Sequence, residues 1–121
     1  MIMFCTVTYS ETIMTTDYQI ILCTFPQFDF AKQCAHELVE KQLAACVNIL
    51  PTMTSVYAWQ GEIETAQEHL LIIKAQANHY SKIENWLKSH HPYEVPEIIA
   101  LPIAQGLPDY LNWISSCHVS S

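Results

Sequence analysis

Residues 54–76, TSVYAWQGEIETAQEHLLIIKAQ, make one long run rich in β-branched and aromatic side chains, broken by a single glycine at Gly61. That composition favours strands, and the glycine is the natural place for a hairpin turn. The arm after the turn ends in Leu70, Leu71, Ile72 and Ile73, without alternation. A strand with one wet face alternates apolar and polar residues, so this sheet needs cover on both faces. Ile20, Ile21 and Leu22, and Ile98 to Leu101, carry the same unalternating signature.

The flanking segments supply the rest of the fold. Upstream, residues 45–51, ACVNILP, read as a strand stopped by Pro51. Before it, Ala31, Cys34, Ala35 and Leu38 recur at helical spacing, from Asp29 as the expected N-cap to about Gln42. Residues 18–24, YQIILCT, read as a first strand closed by Pro26. Downstream, Tyr80, Ile83 and Leu87 mark a second helix, with Lys88 in its last turn and Pro92 stopping it soon after. Residues 97–103, EIIALPI, are the last core strand, and Pro108 opens a short helix carrying Tyr110, Leu111 and Ile114.

The order βαββαβ plus a helix predicts an α+β, ferredoxin-like fold: one antiparallel sheet with two long helices on one face. Two helices cover one face only, so the other calls for a second copy of the chain. Hiding several hundred Å² of apolar sheet per protomer contributes about 10 kcal/mol before the entropy of association is subtracted. An obligate homo-oligomer is therefore expected. A single domain is expected over residues 17–118, behind a loose extension over residues 1–16.

With 121 residues the chain fits one domain, and half of it is apolar against 14% charged. Five lysines and no arginine face twelve acidic residues, a net charge of −7. No basic stripe is available for a phosphate backbone, so no nucleic acid partner is expected. The apolar runs are too short to span a bilayer, and the first sixteen residues hold no Lys or Arg, so neither a membrane nor a signal peptide is expected. The five cysteines are odd in number and lack CxxC spacing, which fits reduced thiols in the cytoplasm.

Four consecutive stretches, LVEKQLAACVNILP, SVYAWQGEIE, HPYEVPEIIALPI and GLPDYLNWI, resemble in order and spacing the CutA divalent-cation tolerance family. The resemblance covers about residues 18–114. It implies a homotrimer of ferredoxin-like subunits, similar in build to PII signalling proteins, and a link to tolerance of Cu²⁺ and other divalent metal ions. It also implies a copper site from a Cys at the end of the first strand and a His pair before the HPY proline, matched here by Cys23, His90 and His91. Where the family pattern has Arg in ARxLVE, this chain has His36.

The topology agrees that the end of the first strand, the end of the second helix and the start of the last strand share one rim. Thiolate and imidazole suit copper, which heads the divalent affinity order. The blander readings are that Cys23 is a small buried hydrophobe and that the histidines end a helix. Adjacent histidines on a regular element point apart, so a site closed within one subunit is less favoured than one borrowing from a neighbour or an adventitious surface site. Glu94 and Glu97 read as solvated acids, and Tyr57, Trp59, Tyr110 and Trp113 as packing aromatics. No catalytic motif is evident, and a non-enzymatic metal-binding scaffold is the expectation. The alternative is a PII-like signalling module that binds a small effector or partner at subunit clefts.

Overall fold

A computed structural model describes residues 17–117. The expected extension over residues 1–16 lies outside the described residues, as does position 118. The chain runs β1 (Tyr18–Phe25), α1 (Phe28–Glu40), β2 (Cys46–Trp59), β3 (Glu62–Gln76), a 3₁₀ turn (Ala77–His79), α2 (Tyr80–His90), β4 (Ile98–Pro102) and α3 (Pro108–Ser116). The sheet order is β2-β3-β1-β4, antiparallel throughout. This is the α+β, ferredoxin-like plan that the sequence predicts.

The period of two along each strand sorts side chains onto opposite faces. Ile21, Cys23 and Phe25 of β1 and Leu71, Ile73 and Ala75 of β3 are fully buried together with Ala31, Cys34 and Leu38 of α1 and Ile83 and Leu87 of α2. The other face presents Ile20, Leu22, Leu50, Leu70, Ile72, Ile99 and Leu101, following the pairing of Leu22 with Ile72 and Ile99. Ile99 and Leu101 are each 48% exposed there. α3 is tied to one end of this face, where Ser115 Oγ meets Tyr18 Oη at 2.7 Å and accepts from Gln76 Nε2 at 3.2 Å. Among the described residues, nothing but α3 at one end is tied over this second apolar face, and Leu50, Ile99 and Leu101 on it stay exposed.

Two boundaries differ from the sequence reading. α1 starts at Phe28 behind Gln27, with no side-chain cap; Asp29 lies in the first turn, where a carboxylate faces the positive end of the helix dipole. Pro51 does not end a strand. β2 continues to Trp59, and the register slips between Leu50 and Met53, so the proline is absorbed in a bulge where no ladder N–H is required. The bulge carries the hairpin beyond the rest of the sheet: β1 pairs with β3 only over residues 69–76, while β2 and β3 pair on to Trp59 and Glu62. Val56 and Ile63 on this two-stranded arm are 66% and 80% exposed. An isolated hairpin is marginal in water, so the arm needs a surface to lie on.

The arm reverses at Gln60 and Gly61, both with positive φ, of 51° and 81°. Such a two-residue turn matches the twist of its flanking strands. A Cβ on Gly61 would touch nothing within 4 Å, so the cost of Gly61→Ala is purely one of backbone conformation. It should destabilise by about 1 kcal/mol. Ile73→Ala, which empties a fully buried site in the central strand, should cost about 2–5 kcal/mol. Urea unfolding of both variants checks this order, which depends on the burial of β3 between β1 and β2.

Candidate functional site

Cys23 pairs with Ile98 at the start of β4, and His91 Nε2 lies 2.6 Å from the backbone oxygen of Thr24. The end of β1, the end of α2 and the start of β4 therefore meet at one rim, as the topology predicts. The three expected ligands behave differently at that rim, and each difference has a local cause.

Cys23 has the parity of Ile21 and Phe25, so its thiol enters the core beneath the helices and is fully buried. Burial pushes its pKa up to about 12, with the Cys34 thiol and Glu97 adding to the rise. Cys34 is pushed up to about 11, by burial and then by Glu37. A thiol is a metal ligand only as thiolate, so Cys23 is a poor donor in this conformation.

His91 is the first residue beyond α2, and its ring packs on Phe25 with centroids 4.4 Å apart. The Thr24 carbonyl can only accept, so Nε2 carries the proton and donates to it. Nδ1 then accepts from the Tyr93 backbone N–H at 3.1 Å. Both nitrogens of a neutral imidazole are thus engaged in tying the loop after α2 to the end of β1. Burial lowers the His91 pKa, against the opposing pull of the Thr24 carbonyl and the Glu68 carboxylate.

His90 is exposed and stacks on Trp86, one helical turn back, with centroids 4.0 Å apart. Its Nδ1 donates to the Trp86 carbonyl at 2.8 Å, and Ser89 Oγ also approaches at 2.9 Å. With the proton on Nδ1, Nε2 is the acceptor nitrogen, and it makes no hydrogen bond among the described residues. Of Cys23, His90 and His91, only His90 has a donor atom free for a metal. Among the described residues no group of three His, Cys, Asp or Glu could hold a metal ion, so the trio does not fit a closed chelate within one protomer.

A cavity of about 720 Å³ opens beside this rim, walled by Tyr57, Trp59 and Tyr93 and by Glu68, Glu94 and Glu97. Tyr93 Oη donates to Glu68 Oε2 at 3.0 Å. The Tyr93 phenol is pushed up to about 12 by burial, by that hydrogen bond and charge on Glu68, and by Tyr57. The sequence reading passed over Glu68 and took the aromatics as packing. The available signal was Glu68 standing just before the apolar run from Leu70, on the face of Leu70 and Ile72.

The sequence profile of the family described as CutA1 divalent ion tolerance protein matches residues 19–117. The chain belongs to the CutA1 divalent ion tolerance family. The divalent-cation tolerance protein CutA of Thermus thermophilus is 48% identical over 96 residues, 79% of this chain and 93% of that protein. A solved CutA1 structure from the same organism superposes with a TM-score of 0.82 at 45% identity, covering 84% of this chain and 99% of that one. The rice CutA1 structure gives a TM-score of 0.85 at 38% identity, covering 89% and 99%. The CutA1 fold is thus shared along nearly the whole described chain. Among the described residues no helix is long and apolar enough to cross a membrane.

Two outcomes follow from the rim geometry. In the folded protein at pH 8, a soluble alkylating reagent should modify Cys46 and Cys117, which are partly exposed, well before Cys23 and Cys34, as read by peptide mass mapping. Because the folded His91 pKa lies below its ordinary value of 6.5, the unfolded chain binds this proton first. The His91 contribution is complete above about pH 6.5 and is lost as pH falls through the lower folded value. Urea midpoints of metal-free protein should therefore fall below pH 6.5, with a smaller fall in His91→Ala.

Proposed function

We propose that this chain is a copper tolerance protein of the cytoplasm, working as a closed homotrimer without catalysis. Family membership supports the link to divalent cations. The observation that carries the reading is the exposed His90, whose Nε2 has no hydrogen-bond partner among the described residues, at the rim that also holds His91 and Cys23. Imidazole is a good donor for late first-row divalent ions, with Cu²⁺ at the top of their affinity order. A lone imidazole makes a weak site, so the remaining positions are filled by water or by a neighbouring subunit. Within the trio His90 is the anchor, and His91 and Cys23 join only where the rim rearranges.

The uncovered sheet face and the bare hairpin arm support assembly, because each leaves apolar surface that a second and third copy would hide. Cys23, Cys34, Cys46 and Cys117 are all free, which supports a reducing compartment. The absence of catalysis is supported by the burial of Cys23, the thiol nearest to a histidine pair, since a nucleophile must reach its substrate.

Calorimetric titration with Cu²⁺ tests the site. Native protein should bind stoichiometrically, His90→Ala should bind at least about tenfold more weakly, and Cys23→Ala should keep most of the affinity, as expected when a thiol near pKa 12 is not the anchor. Unchanged binding in His90→Ala would remove the rim as the copper site.

A further inference from the structure

His90 is exposed, and an exposed histidine at a helix end ordinarily samples several rotamers and both neutral tautomers. Neither freedom is left to this one. Its ring lies over the Trp86 indole with centroids 4.0 Å apart and planes 19° apart, so one whole face of the imidazole is occupied. Trp86 is partly buried and packs against the hydrophobic core. The platform under His90 is therefore held by the interior of the fold and not by another surface chain.

The same residue decides where the proton sits. The Trp86 backbone oxygen lies 2.8 Å from His90 Nδ1 and also accepts from Ser89 Oγ at 2.9 Å. With its single hydrogen used there, Ser89 Oγ can only accept from Nδ1, which it approaches at 2.9 Å. Both neighbours of Nδ1 are acceptors, so the proton is on Nδ1 and Nε2 is the nitrogen left to a metal. A metal meets a ring nitrogen in the plane of the ring, and a partner stacked on the face leaves that approach open. Coordination also withdraws charge from the imidazole, and an indole face attracts a cationic ring more than a neutral one.

We propose that Trp86 is a positioning residue for copper: its indole and its backbone oxygen hold the His90 ring in one orientation and one tautomer, with Nε2 presented to the ion. This role rests on the reading of His90 as the copper anchor, and it accounts for how one imidazole serves as an anchor at all. A ring ordered beforehand loses little further freedom on binding. Trp86 does not touch the metal and acts only through His90.

Calorimetric titration with Cu²⁺ and NMR of the His90 ring test this together. Trp86→Leu, which keeps an apolar side chain without an aromatic face, should bind Cu²⁺ at least about fivefold more weakly than the native chain. Trp86→Phe, which restores a face for the stack, should bind within about twofold of native. In metal-free native protein at about pH 8, where imidazole is neutral, the His90 ring protons should be moved upfield by the indole ring current, with the proton on Nδ1. That upfield shift should vanish in Trp86→Leu and return in part in Trp86→Phe. A folded Trp86→Leu that binds like the native chain, while His90→Ala is impaired, overturns the positioning role and leaves the copper reading standing. Binding unchanged in His90→Ala removes both. Should circular dichroism show Trp86→Leu unfolded, the native spectrum decides: His90 ring protons without the upfield shift, or a proton on Nε2, overturn the proposal.

Discussion

One constraint governs this molecule: a four-stranded sheet that is apolar on both faces, carried by a chain whose two long helices cover only one of them. Ile21, Ile73 and Leu71 are sealed under α1 and α2, whereas Leu22, Ile72, Ile99 and Leu101 turn the other way. Because side chains alternate with a period of two, one set cannot be buried by the cover that serves the other. α3 reaches only the end near Tyr18 and Gln76. The hairpin arm sharpens the same demand, since beyond the bulge at Leu50 and Met53 it has lost β1 as a neighbour.

The rim at the end of β1 depends on that sheet. β1 fixes both where Cys23 points and where the Thr24 carbonyl is offered, and the carbonyl then selects the tautomer of His91. With both ring nitrogens of His91 engaged, the loop after α2 is held so that Tyr93 reaches Glu68 across the edge of the sheet. Adjacent histidines thus have different work. His91 braces the loop, while His90, stacked on Trp86, is turned to solvent. Copper binding that recruited His91 would have to displace either the Tyr93 N–H from Nδ1 or the Thr24 carbonyl from Nε2, so metal affinity and the order of this loop are coupled.

Much of the fold was legible because it is written in periodicity. The stripe of Ala31, Cys34, Ala35 and Leu38, the run from Leu70 to Ile73, and Gly61 at a position with positive φ each have one reading that sterics and burial enforce. Pro51 misled because a proline excludes a ladder hydrogen bond but does not exclude a bulge, and only the pairing of β2 with β3 distinguishes the two. The shared rim followed from topology, but the fate of each ligand did not. The spacing of Cys23 says nothing of which face it takes, and the sequence of two histidines says nothing of which carbonyl each ring finds. The place of Glu68 before the apolar run was visible, but its role was not, because that role comes from Tyr93, twenty-five residues away in sequence.

The claim on which the rest stands is that identical chains cover one another's second sheet face. Sedimentation equilibrium of the purified, metal-free chain over a wide concentration range tests it most directly. A single species of about three chain masses, persisting on dilution, is the predicted result, as expected of interfaces that hide a core-like surface. A stable, folded species of one chain mass, 13.8 kDa, would contradict it.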